Sequence, residues 1–201
     1  MSGARIKVLY VDTGMGFGGG QASLVEVLRR LDRSVFEPVV ASPEAGPLGS
    51  RCRGLGVTWL ALPFGSAGGP DSRRGTGARR ARWGLPLADL ASSIRGVFHL
   101  ASLVRRLDAD VVHCNTFKAA LVGGIACVVA RKPAIFHDRT QIGHGALGLL
   151  AGLLAGRIVV VSRAVAAKHR WPARARTRLV YDGVDTERFL PAGAGAGGVQ
   201  G

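Results

Sequence analysis

Short apolar runs alternate along this chain with longer stretches whose apolar positions recur at helical spacing. Arg5–Val11 (RIKVLYV) reads as a buried strand. Beyond a glycine-rich turn, Leu24, Val27, Leu28 and Leu31 mark one face of a helix. Phe36–Ser42 and Val57–Leu62 read as the second and third strands, separated by a short segment carrying Cys52 and Leu55. Leu87, Leu90, Ile94, Val97, Ala101 and Val104 then predict a long amphipathic helix ending near Leu107. Asp110–Asn115 is a fourth strand, Ala119–Val129 a buried helix, and Ala134–Asp138 a fifth strand. Leu147–Leu154 is predicted as another buried helix and Arg157–Ser162 as a sixth strand. A short helix starts at Ala164, with Ser162 as its cap, and Arg178–Asp185 closes the pattern. Such alternation predicts an α/β fold: a Rossmann-like, doubly wound, mostly parallel sheet.

In sheets of this kind ligands bind beyond the carboxyl ends of the strands. The segments to inspect are Asp12–Gly20, Ser42–Glu44, His113–Thr116, His137–Arg139 and Ser162–Arg163. Gly14–Gly19 spells GxGxxG, a weak signal in a chain with 30 glycines. A dinucleotide site wants its first glycine directly after the strand and an acid at the end of the second strand. Here Asp12 and Thr13 intervene, and the second strand ends Ala41-Ser42-Pro43, with Glu44 only after the proline. A bare turn and an anion cradle remain. In the cradle, glycine N–H groups and the helix N-terminus would face a phosphate.

Composition and charge widen the choice of partners. The chain has 201 residues, 47% of them apolar, and 27 Lys and Arg against 13 Asp and Glu, a net charge of +14. Phosphorylated substrates, anionic lipid and nucleic acid all suit that balance. Gly65–Gly84 is Gly- and Arg-rich without periodicity. Its Arg73, Arg74, Arg79, Arg80 and Arg82, beside Trp83, suit contact with an anionic membrane surface. No nucleic acid is expected, because no DNA- or RNA-binding module is evident. Three cysteines without a CxxC argue against disulfides and zinc and fit a reducing cytoplasm. No metal is expected, since no second His or Cys stands at ligand spacing. The first apolar run is too short for a signal peptide, and the longer ones, Ala119–Ala130 and Gly145–Gly156, are too short to span a bilayer. Residues 1–190 are expected to form one domain, with 191–201 a flexible tail or the start of an interdomain linker.

Five motifs, in order, resemble the family-4 (group 1) glycosyltransferases. GGGQASLVEVLRRL is similar to their GG-small-E-x-x-L helix start, with Gln21 where Glu is usual. DADVVHCNTFKAALVG, PAIFHD and RIVVVSRAVAA resemble three of their strand–helix segments, and RLVYDGVDTERFLP their NGVD-x-x-RF-x-P element, with Asp182 for the usual Asn. The resemblance spans roughly residues 5–191. It implies the N-terminal, acceptor-side half of a GT-B fold, whose C-terminal donor domain is not among these residues, so the isolated chain is expected to be inactive. The complete enzyme would transfer a hexose from a nucleotide sugar, its donor substrate, to a cell-envelope glycan or lipid, with no further cofactor. His137 would face the cleft and act on the donor sugar, and His113 would be scaffold. Gly18 and Gly19 would help hold the donor diphosphate. Asn115, Thr116, Asp138 and Arg139, at the strand ends, are the acceptor-binding candidates. The implied location is cytoplasmic, peripheral on the inner face of the membrane. The alternatives are a non-catalytic domain binding carbohydrate or anions and another GT-B member such as an epimerase.

Overall fold

Side-chain direction along the strands sets the architecture. The structure, a computed structural model, describes residues 4–44, 46–63 and 87–183. The arginine arm with Trp83 and the tail beyond Gly183 lie outside the described residues. The strands are β1 (Ile6–Val11), β2 (Phe36–Pro43), β3 (Thr58–Leu62), β4 (Val111–Cys114), β5 (Ala134–Asp138), β6 (Arg157–Val160) and β7 (Thr177–Leu179). All pair in parallel, in the order β3-β2-β1-β4-β5-β6-β7. The helices are α1 (Gly19–Arg30), α2 (Leu48–Gly54), α3 (Leu87–Leu107), α4 (Phe117–Ala130), α5 (Gly145–Leu154) and α6 (Arg163–Ala167).

Period-two alternation sorts the strand side chains into two cores. Val8, Tyr10 and Val40 pack under α1 and α2, against Leu24, Leu28, Leu48 and Cys52. Leu9, Val11, Val112, Phe136, Ile158 and Val160 point the other way, toward α3, α4 and α5. The sheet is therefore covered on both faces, as its nearly all-apolar strands require. Strand order reverses between β1 and β4, and at that switch point the connections leave for opposite faces. A Rossmann-like sheet binds its ligands there.

Several glycines carry close packing. A Cβ on Gly124 would lie 2.7 Å from Leu154 Cβ, and one on Gly152 2.9 Å from Ala173 Cβ. α5 thus approaches α4 and the 3₁₀ turn Ala173–Arg176 at backbone distance. Gly49 plays the same part in α2, where a Cβ would sit 2.6 Å from the Trp59 ring. Sequence pattern alone leaves α2 as an unassigned segment, since its seven residues hold too few apolar positions for a period. It also predicts α5 as a buried helix, and the structure corrects this. The small residues Ala151 and Gly152 turn inward, and Leu147, Leu149, Leu150 and Leu153 are 40–51% exposed. Among the described residues no helix is long and apolar enough to cross a membrane.

Candidate functional site

Asp12, just past β1, is fully buried and organises the switch point. Its Oδ1 accepts from the Gly14 amide at 2.7 Å and from Gln21 Nε2 at 3.0 Å, and its Oδ2 accepts from Asn115 Nδ2 at 2.6 Å. Gln21 reaches back to accept from the Gly18 amide, closing the first turn of α1. The glycines of the loop divide on this evidence of space. A Cβ on Gly14 would meet Gln21 Nε2 at 2.6 Å and Asp12 Oδ1 at 3.0 Å, so a side chain there would disturb the Asp12–Gln21 hydrogen bonds. One on Gly18 would touch only Gln21 Oε1, at 3.6 Å, and one on Gly19 nothing within 4 Å. Gly18 and Gly19 are exposed at the N-terminus of α1, beside open space.

Asn115 carries the network across to β5. Its Nδ2 also donates to the Gly20 carbonyl at 3.2 Å, and its Oδ1 accepts from Arg139. Arg139 donates in addition to Ser23 Oγ at 3.3 Å and lies 3.8 Å from Asp182 Oδ2. Ser23 Oγ in turn donates to Asp182 Oδ1 at 2.6 Å. The Arg139 Nε, although buried, makes no hydrogen bond among the described residues. Burial depresses the Arg139 pKa, with Asp182 and Asp12 pulling the other way.

His137 closes β5 on the same face as Tyr10 and His113. Its Nδ1 lies 3.1 Å from His113 Nε2, and the His113 ring stacks at a tilt on Tyr10. His137 is 7% exposed, and its Nε2 has no partner among the described residues. Burial, then the Arg139 charge, pushes its pKa down to about 3. Burial first, then His137 and Arg139, pushes His113 down to about 3 as well. Both imidazoles are therefore neutral at pH 7. One proton sits between them, and its placement decides whether Nε2 of His137 accepts or donates.

The remaining candidates separate. Thr116 caps α4, accepting from the Ala119 amide at 3.2 Å, and its hydroxyl lies 2.8 Å from that of Thr13. Asp138 does not share the face of His137. One residue further along the strand, it turns to the α6 side and accepts from His169 Nε2 at 2.9 Å and Lys168 Nζ at 2.8 Å. Burial raises the Asp138 pKa, but the bonds from His169 and Lys168 outweigh it and hold the carboxyl below its usual range. Lys168 also donates to the carbonyls of Thr140 and Ile142, which pins the segment following Arg139. Lys168 and His169 escape the sequence reading because they follow a short helix in no recognisable motif. The segment after Ser162, flagged as a strand end, was the available signal. The cysteines are free buried thiols, pushed up by burial to about 11 at Cys52 and about 12 at Cys127.

A seven-stranded parallel sheet of this order, with helices on both faces, is a Rossmann-like α/β domain of the kind from which GT-B folds are built. The family model of Glycosyltransferase Family 4 matches residues 17–188, and the chain belongs to that family. No curated protein sequence matches it. Among solved structures it is similar to HepE of Anabaena, crystallised with UDP, at 18% identity and a TM-score of 0.65 over 90% of this chain and 45% of that one. It is similar to MurG of Acinetobacter baumannii at 14% identity and a TM-score of 0.64, over 90% of this chain and 47% of that one. The likeness extends to MnaA of S. aureus, solved with UDP, at 13% identity and a TM-score of 0.54, over 87% of this chain and 43% of that one. The chain thus spans a little under half the length of each of these structures.

Proposed function

We propose that this chain is the acceptor-side, N-terminal half of a glycosyltransferase that moves a hexose from a nucleoside-diphosphate sugar to a cell-envelope glycan or lipid. The observation that carries this reading is the unpartnered Nε2 of the buried His137, at a strand end two residues before Arg139, whose side chain reaches Gly20 at the head of α1. Burying a polar atom without a partner costs about 1–3 kcal/mol, so a ligand that satisfies it gains that much. The family membership and the UDP held by two similar structures favour a nucleotide sugar as that ligand.

In this reading His137, neutral at working pH, hydrogen-bonds a hydroxyl of the donor sugar without adding charge. The Gly19 amide and the α1 N-terminus meet the leaving diphosphate, where charge develops, while the Gly18 amide is held by Gln21 and shapes the turn. Arg139 and Asn115 bind the acceptor. Asp138 supports them from the opposite face by tethering the segment after Arg139 through Lys168. Most of the diphosphate site would belong to a donor domain outside these residues.

Titration of the chain with UDP and with NAD, followed by backbone amide shifts, tests the reading. UDP should shift Gly18–Gly20 and the His137–Arg139 segment, and Gly19→Val should abolish the loop shifts. Tight NAD binding would replace the reading with a dinucleotide-binding domain. Silence with both ligands would leave the loop a bare turn in this chain.

A further inference from the structure

α5 is built inside out. In a water-facing helix over a sheet the leucines turn inward and the polar residues outward. Here Ala151 and Gly152 face the protein, Leu147, Leu149, Leu150 and Leu153 face outward, and the helix holds no charged residue. On one side α4 adds Val128, 62% exposed. On the other side a cationic segment is clamped against the last turn of α5. Ala173 packs on Gly152, and Arg176 donates to the carbonyls of Leu153 and Ala155 at 2.9 and 3.2 Å. That segment exposes Arg170, Arg174 and Trp171, the last 82% open. A hollow of about 430 Å³ next to it is lined by Arg163 and Arg174.

Charge decides among the occupants of such a surface. From Val111 to Tyr181 the only carboxylate is Asp138, and it is buried. α4, α5, α6 and the arginine segment therefore present no exposed negative charge. A second copy related by a two-fold axis would bring like-charged borders together. Nucleic acid would meet the arginines and leave the leucines in water. An anionic bilayer satisfies both parts. Acyl chains take the leucines, lipid phosphates take the arginines, and Trp171 suits the boundary between them. A ten-residue helix is about 15 Å long, which fits a position in the interface and is too short to span.

We propose that α5 and the Arg170–Arg174 segment dock this domain on an anionic lipid surface. None of these residues belongs to the Gly65–Gly84 segment, and the inference does not rest on the glycosyltransferase reading. The segment from Thr140 to His144 joins Arg139 directly to α5, so docking would bring the sheet's carboxyl edge close to the lipid.

The test is co-sedimentation of the purified chain with vesicles of pure phosphatidylcholine and of equal parts phosphatidylcholine and phosphatidylglycerol. Binding is expected to the second kind only and to weaken with salt. Leu149→Glu with Leu153→Glu should lower it roughly tenfold or more. Arg170→Gln with Arg174→Gln should do the same at low salt, since each arginine contributes about a factor of five near the surface. Circular dichroism establishes that both variants fold. UDP-induced amide shifts in the glycine loop, if the parent shows them, should persist in both variants, which separates this result from the fate of the proposed function. Unchanged binding by the two variants would assign the membrane contact elsewhere and overturn the proposal. So would no binding by the parent, or a parent dimer that the leucine variant dissolves.

Discussion

Asp12 illustrates how a single side chain ties a loop, a helix start and a strand end together. Four hydrogen bonds converge on its carboxylate, from Gly14, Gln21 (to both oxygens) and Asn115. Asp12→Ala deprives the half-buried Gly14 amide and Gln21 Nε2 of their acceptor and leaves Asn115 Nδ2 with the Gly20 carbonyl alone, and should cost on the order of 1–3 kcal/mol in urea denaturation. A variant as stable as the parent would show that water replaces the carboxylate at no loss. The histidine pair makes a prediction of another kind. Native His113 and His137 stay neutral down to about pH 3, whereas in the unfolded chain each takes up a proton near pH 6.5. Between those values the unfolded chain binds more protons, so stability is complete above about pH 6.5 and declines as pH falls toward about 3. His113→Phe should flatten that decline by roughly half, read from urea midpoints across the window. Equal slopes in both proteins would place the pH dependence elsewhere. His137, Asn115 and Arg139 were legible in sequence because they end strands. That Asp138 faces the other way follows from the two-residue period, yet its partners Lys168 and His169 come from a non-periodic stretch that only folding brings near.

At the level of elements, the sheet was readable because its strands are continuous apolar runs. The fifth strand, Ala134–Asp138, is predicted to the residue. Helix orientation was less so. α5 has the composition of a buried helix, and nothing in a run of Gly, Ala and Leu tells which of them meets the protein. Close approach decides it, since only the glycines and alanines permit contact at backbone distance. Gly124→Ala should therefore cost about 1–3 kcal/mol by pushing α5 off α4. Gly54→Ala, where no heavy atom lies within 4 Å of the new Cβ, should be neutral or stabilising by up to about 1 kcal/mol. Thermal unfolding of the two variants side by side checks the pair. Similar melting temperatures for both would remove close packing as the reason for the outward leucines.

For the whole molecule, the expectation is that the 201-residue chain alone binds a nucleoside diphosphate weakly and transfers no sugar. If it is supplied with a family-4 donor domain, His137→Ala should lower turnover by about tenfold or more with the fold intact. Transfer by the chain alone would refute the division of labour. Turnover unchanged by His137→Ala would remove the histidine from the cleft. The family was legible from motif order, and the motifs are mostly strand ends, the positions a ligand site constrains. The docking surface was not, because it is assembled from α5 and a segment some twenty residues later, joined by one glycine contact and two arginine hydrogen bonds.

Asp182 gives the site an internal competitor. Its carboxylate lies against Arg139 and Ser23, so an incoming anion must share or displace a negative charge already in place. Displacement would free residues 180–183, where the chain leaves β7, and by reciprocity anything that draws that exit segment away opens Arg139 to ligand. An Asn at this position would be a neutral plug. Here the aspartate works as a latch whose strength is that of a half-exposed ion pair, about 0.2–1 kcal/mol. Asp182→Asn should therefore tighten binding of an anion at Arg139, probed with inorganic phosphate, by up to about fivefold in a titration at low salt, and the gain should vanish at high salt.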